Sequence, residues 1–149
     1  MISISQPSKK VSNEFIHSFY YLEFDQQKEK NSGIVIDDAC YELMFVKENN
    51  VKLINGGNET LSLPSSYTFN NLTGPFKFDF EESFTSFCIK LQPWMNASFV
   101  PTKKPQLLDL NHLYPKIVNQ VHRNLFEADS FEKMVNYAEE FLITIEVTP

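Results

Sequence analysis

A mainly β fold is predicted for this chain: a jelly-roll β-barrel of about eight strands, followed by a C-terminal two-helix hairpin. Three observations carry that expectation. Short apolar runs separated by turn residues fill the first two-thirds of the 149 residues. Fourteen Phe, six Tyr and one Trp suit pleated, half-buried surfaces and large core volumes. Near Asn111 the apolar spacing changes from a strand period to a helix period. The length fits one domain over 1–149, with the barrel over 1–105 and the hairpin, with dimerisation and linker roles, over 106–149.

Each element has its own signal. Glu14 to Phe24 is an aromatic-rich run with apolar side chains on both parities, a strand covered on both faces. Asp25 to Ser32 is a polar loop, after which Gly33 opens the short strand Ile34-Val35-Ile36. Tyr41 to Lys47 and Val51 to Asn55 are strands joined by the turn Glu48-Asn49-Asn50. Asn55-Gly56-Gly57-Asn58 marks a hairpin, because its tight turn needs the positive φ that glycine accepts. Thr60 to Leu63 and Tyr67 to Asn70 follow, split by Pro64. Phe76, Phe78 and Phe80 alternate with Lys77 and Asp79, and Phe87, Ile89 and Leu91 alternate with Ser86, Cys88 and Lys90. Both patterns predict strands with one wet face. Leu113, Ile117, Val121 and Leu125 then repeat every four residues, with Pro115 in the first helical turn. A second stripe runs through Phe131, Met134, Val135, Ala138, Phe141, Leu142 and Ile145, with Asp129 as its N-cap and Glu132 at N3.

Composition excludes several function classes. The net charge of −6 argues against a free-standing nucleic-acid binder. Glu132, Glu139, Glu140 and Glu146 on the second helix would repel phosphates, so the hairpin is not a helix-turn-helix. Neither a signal peptide nor a membrane-length apolar run is present, so a soluble, cytoplasmic chain is expected. Cys40 and Cys88 sit in or beside apolar strands and read as buried thiols.

Catalytic chemistry finds no constellation. His17, His112 and His122 are scattered, and no two share a strand at a metal-ligand spacing. The neighbours of Cys40 are acidic and would disfavour a thiolate. We therefore expect no enzyme, no metal and no cofactor. What remains is an aromatic-lined barrel that could hold a small molecule. The candidate polar contacts are Tyr41, Glu42 and Tyr67, and the candidate walls are Phe45, Phe69, Phe87 and Trp94. Leu113, Ile117, Val121, Phe131, Met134, Ala138 and Phe141 are candidate dimer-interface residues. The same stripe could instead pack on the outside of the barrel.

An ordered set of motifs carries a resemblance. Asp38, Cys40, Glu42, Leu43 and Phe45, then Gly74-Pro75, then Phe87, Ile89 and Pro93 precede the helix pair. This order resembles the N-terminal effector-binding and dimerisation domain of AraC-type transcription regulators. The resemblance implies a cupin-like barrel, a small-molecule effector, a homodimer, and DNA contact only through a C-terminal domain that this sequence does not contain. Asp37, Ala39 and Trp94 depart from the pattern, standing where the family has Pro, Gly and Gly. The alternatives are a stand-alone cupin-like enzyme and a pure protein-interaction module.

Overall fold

The computed structural model describes residues 2–7, 10, 14–25, 34–35, 41–48, 51–55, 60–70, 76–92 and 106–145. For strand residues 2–6, 25, 34–35, 41, 55, 69–70, 76–78 and 106 it describes the backbone alone. The strands are β1 (Ile2–Gln6), β2 (Ile16–Asp25), β3 (Ile34–Val35), β4 (Tyr41–Val46), β5 (Lys52–Asn55), β6 (Thr60–Ser62), β7 (Ser66–Asn70), β8 (Phe76–Asp79), β9 (Ser83–Leu91) and β10 (Gln106–Asp109). Three helices follow: α1 (Leu110–Leu113), α2 (Ile117–Glu127) and α3 (Phe131–Thr144). The chain is thus mainly β with C-terminal helices, as its patterning predicts.

Among the described residues all the strand pairings are antiparallel, and the central ones are nested. β5 pairs with β6, β4 with β7, β3 with β8 and β2 with β9. The chain therefore runs out and back as one long two-stranded ribbon. Two further pairings, β4 with β9 and β5 with β8, fold that ribbon across itself. The result is a six-stranded sheet, β1-β2-β9-β4-β7-β10, and a four-stranded sheet, β3-β8-β5-β6. Among the described residues the hydrogen-bonded ladders form two open sheets rather than one closed barrel, and ten strands replace the expected eight. The additions are β1 and β10, which extend the six-stranded sheet at either edge.

The six-stranded sheet is covered on both faces. Met44, Val46, Tyr67, Phe84 and Cys88 face Val51, Leu53 and Phe80, and form a core between the sheets. Ile16, Phe19, Leu43, Phe45, Phe87, Ile89 and Leu91 face the other way, onto the helices. Tyr20 and Phe24 of β2 join the first core while Phe19 joins the second, which accounts for apolar residues on both parities of that strand. The expected wet face on β9 is corrected here: Phe84 to Ile89 are all buried. Ser86 and Cys88 turn towards the second sheet, not water, because β9 lies between β2 and β4 in the sheet interior.

The helical region differs from its sequence reading at two points. Pro115 breaks the expected continuous helix. The residue before a proline is disfavoured in the helical region, and Tyr114 sits at φ −133° and ψ 66°, ending α1. Lys116, the N-cap of α2, is then held at φ 75° and ψ −40°, the one non-glycine residue with positive φ among the described residues. An L-residue there pays roughly 1 kcal/mol or more in steric strain. We predict that Lys116→Gly raises the melting temperature by about 3 °C, read by circular dichroism. The second difference is the cap of α3. Ser130 occupies it, its Oγ accepting from the Lys133 N–H at 3.2 Å, while Asp129 lies one residue outside and pairs with Lys133 Nζ at 2.9 Å. That exposed pair holds the Asp129 carboxyl below its ordinary range.

The residues expected at a dimer interface are largely used within the chain. Val121, Met134, Ala138 and Phe141 are buried against the sheet, and Leu113 and Phe131 pack half-buried beside them. Ring contacts knit the layer: Phe45 with Phe141 at 6.1 Å, Phe87 with Phe131 at 6.1 Å, and Tyr114 with Phe141 at 6.0 Å. Ile117 remains 37% exposed, and Ile143, beyond the stripe, is 56% exposed. A second copy could reach the buried members only if the hairpin left its own sheet.

Candidate functional site

Among the described residues, the core between the two sheets is apolar except for one polar group of side chains on the six-stranded sheet. Register places them together. Tyr20 on β2 lies across from Cys88 on β9, and Cys88 lies across from Met44 on β4. Tyr67 on β7 lies across from Met44 on the other side. Tyr20, Cys88, Met44 and Tyr67 thus form a row over four neighbouring strands. Glu42 is two residues from Met44 on β4, so strand alternation gives both the same face. The Tyr20 hydroxyl donates to Glu42 Oε1 at 2.9 Å, reaching past β9 to do so.

The electrostatics follow from burial. The Tyr20 phenol is pushed well above its ordinary pKa, first by desolvation and then by the proximity of Cys88 and Glu42. Tyr67, fully buried, is raised for the same reasons in the same order. Both stay neutral hydroxyls, each able to donate one hydrogen bond and accept others. Ser86 adds a further polar atom to this face. It lies on β9 two residues from Cys88, and its buried Oγ has no hydrogen-bond partner among the described residues. Leaving such a group unsatisfied costs about 1–3 kcal/mol.

The residues chosen from sequence divide into three groups. Glu42 and Tyr67 fall in the inner polar group. Phe45 and Phe87 point to the opposite face of their strands and pack under α3, so they line no interior pocket. One residue of register decides this, since alternate positions on β4 and β9 serve different cores. The Tyr41 and Phe69 side chains, and Trp94 entirely, lie outside the described residues, as do Cys40 and Gly74-Pro75. Tyr20 was missed. Its parity was visible in the β2 run, but its nearness to Glu42 depends on the pairing of β2 with β9 and β9 with β4.

Two surface cavities stand apart from this group. One, about 260 Å³, lies between the α2–α3 turn and the sheet, with Tyr21, Lys47, Thr85, Phe126 and Ser130 among its walls. Another, about 270 Å³, is bounded by Lys52, Asp79, Phe80 and Glu81. In the first, the Tyr21 hydroxyl donates to Glu23 at 3.0 Å, and partial burial with that bond pushes its pKa up to about 12. Among the described residues no group of three or more His, Cys, Asp or Glu is placed to hold a metal ion, and no helix is long and apolar enough to cross a membrane. Compared with family models, curated proteins and solved structures, the chain finds no match.

Proposed function

We propose that this chain is a non-enzymatic ligand-sensing module, the effector-binding domain of an AraC-type transcription regulator on a cupin-like jelly roll. The nested pairing of β2 to β9 supports the jelly-roll reading, in which eight strands fold as two Greek keys into a double sheet, with β1 and β10 as additions to the six-stranded sheet. The helical hairpin on the outer face agrees with the motif order that carries the resemblance. One observation bears most of the weight for sensing. Among the described residues, the Tyr20–Glu42 pair, with Tyr67, Cys88 and the Ser86 hydroxyl, puts polar groups inside an otherwise apolar core. A few polar groups on an apolar wall are what a small-molecule site needs for orientation and selectivity. Glu42, as an acceptor, and the tyrosine hydroxyls suit a ligand rich in hydrogen-bond donors, such as an amine or a polyol.

Differential scanning fluorimetry against a panel of small amines, polyols and carboxylic acids tests this. A ligand at a hundred times its Kd stabilises by about 2.7 kcal/mol. For this length that raises the melting temperature by roughly 5–10 °C. The shift should vanish in Glu42→Gln, which keeps the side-chain shape. Shifts that survive the substitution undiminished would remove Glu42 from the site, and a panel with no shift at all would count against sensing.

A further inference from the structure

The inner polar group and the helical hairpin lie on opposite faces of the six-stranded sheet, and one residue touches both sides. Val46 ends β4 with its side chain in the inter-sheet core, 1% exposed. Its N–H donates to Ser65 O at 2.8 Å. Its carbonyl accepts from His122 Nε2 of α2 at 2.7 Å. A carbonyl can only accept, so His122 carries its proton on Nε2. The imidazole is further set by Phe126, one turn along α2, with ring centroids 4.9 Å apart.

We infer that this Val46–His122 hydrogen bond is the tie through which the state of the inner site reaches the helical hairpin. Glu42, Met44 and Val46 are alternate residues of one strand, all turned to the inner core. A strand rises about 3.3 Å per residue and resists compression along its axis, so a displacement at Glu42 is delivered about 13 Å away at Val46. The apolar layer between sheet and helices is non-directional and tolerates small sliding. A hydrogen bond at 2.7 Å does not, because it weakens steeply with distance and angle. The tie thus turns a shift of β4 into a shift of α2, and with it of the α2–α3 turn. His122 is a positioning residue in this scheme and touches no ligand. The regulatory meaning rests on the sensing role proposed above, but the mechanical link needs no ligand to be tested.

Hydrogen–deuterium exchange on the full chain reads it. Glu42→Ala disturbs the inner end of β4, and exchange of the α2 amides is expected to rise about fivefold. In the His122→Leu background the same substitution should leave α2 exchange unchanged. His122→Gln, whose amide nitrogen lies the same number of bonds from Cα, should restore the response. A general loss of stability would persist in His122→Leu, and that result overturns the inference. So does an α2 that ignores Glu42→Ala from the start. Should fluorimetry find no ligand acting through Glu42 while the exchange response follows His122, the sensing role falls and the tie stands.

Discussion

Phe141→Ala is expected to destabilise the chain by about 3–5 kcal/mol, measured by urea unfolding. Phe141 is only 2% exposed and meets two rings edge-on, Phe45 of β4 at 6.1 Å and Tyr114 at 6.0 Å. Removing it deletes the transfer energy of the ring and leaves a cavity between α3 and the sheet. It also forfeits the edge-to-face contacts, worth about 0.5–1.5 kcal/mol each beyond area burial. Small domains have only about 5–15 kcal/mol of net stability, so a large share would be lost. A change under about 1 kcal/mol would mean that the helices do not pack on this face. A charged substitution at this position, such as Phe141→Asp, would report on folding and not on dimerisation. A carboxylate there would be buried and unpaired, and any lost association would follow from unfolding.

Alkaline unfolding is the second large effect. Tyr20 and Tyr67 both have phenol pKa values raised in the folded state by burial. A raised pKa means that stability is intact below the unfolded value, near pH 10, and falls as pH rises towards the folded value. Each phenol that ionises only on unfolding contributes up to about 1.4 kcal/mol per pH unit, so the pair gives up to about 2.7. Cooperative unfolding is therefore expected a few pH units above 10. Absorbance near 295 nm should show these two tyrosines ionising together with the loss of far-ultraviolet circular dichroism. The Tyr20→Phe, Tyr67→Phe double variant should flatten the dependence. Smooth titration of all six tyrosines with the fold intact would contradict the burial described here.

Patterning in the sequence located most strands because period-2 alternation is local. The run from Glu14 to Phe24 and the Phe87-Ile89-Leu91 series needed no partner to be recognised. The face each residue serves is less legible. Phe45 and Glu42 are near neighbours on one strand, yet one serves the helix layer and the other the inner polar group. An apolar residue on a strand covered on both faces carries no mark of which core it joins. Tyr20 became a site residue only through two strand pairings far apart in sequence. The helix ends were misplaced for a local reason. Asp129 and Ser130 are both good caps, and their order alone does not choose between them.

The nested ribbon also constrains the order in which the molecule can acquire its chemistry. Closing a loop costs entropy that grows with the logarithm of its length. Bringing β5 to β6 spans few residues, and each pairing outward then joins ends already brought close. β2 and β9 are the widest pair of that ribbon, so direct closure of their loop, without the inner pairs, is the most expensive route. Tyr20 belongs to that outermost pair and Glu42 to an inner one. On the zipping route their hydrogen bond cannot form until β2 has joined β9, however much of the ribbon has already formed. Of the polar group, only the Tyr20–Glu42 bond waits for β2, because Tyr67, Glu42, Ser86 and Cys88 are brought together by β7, β4 and β9 alone.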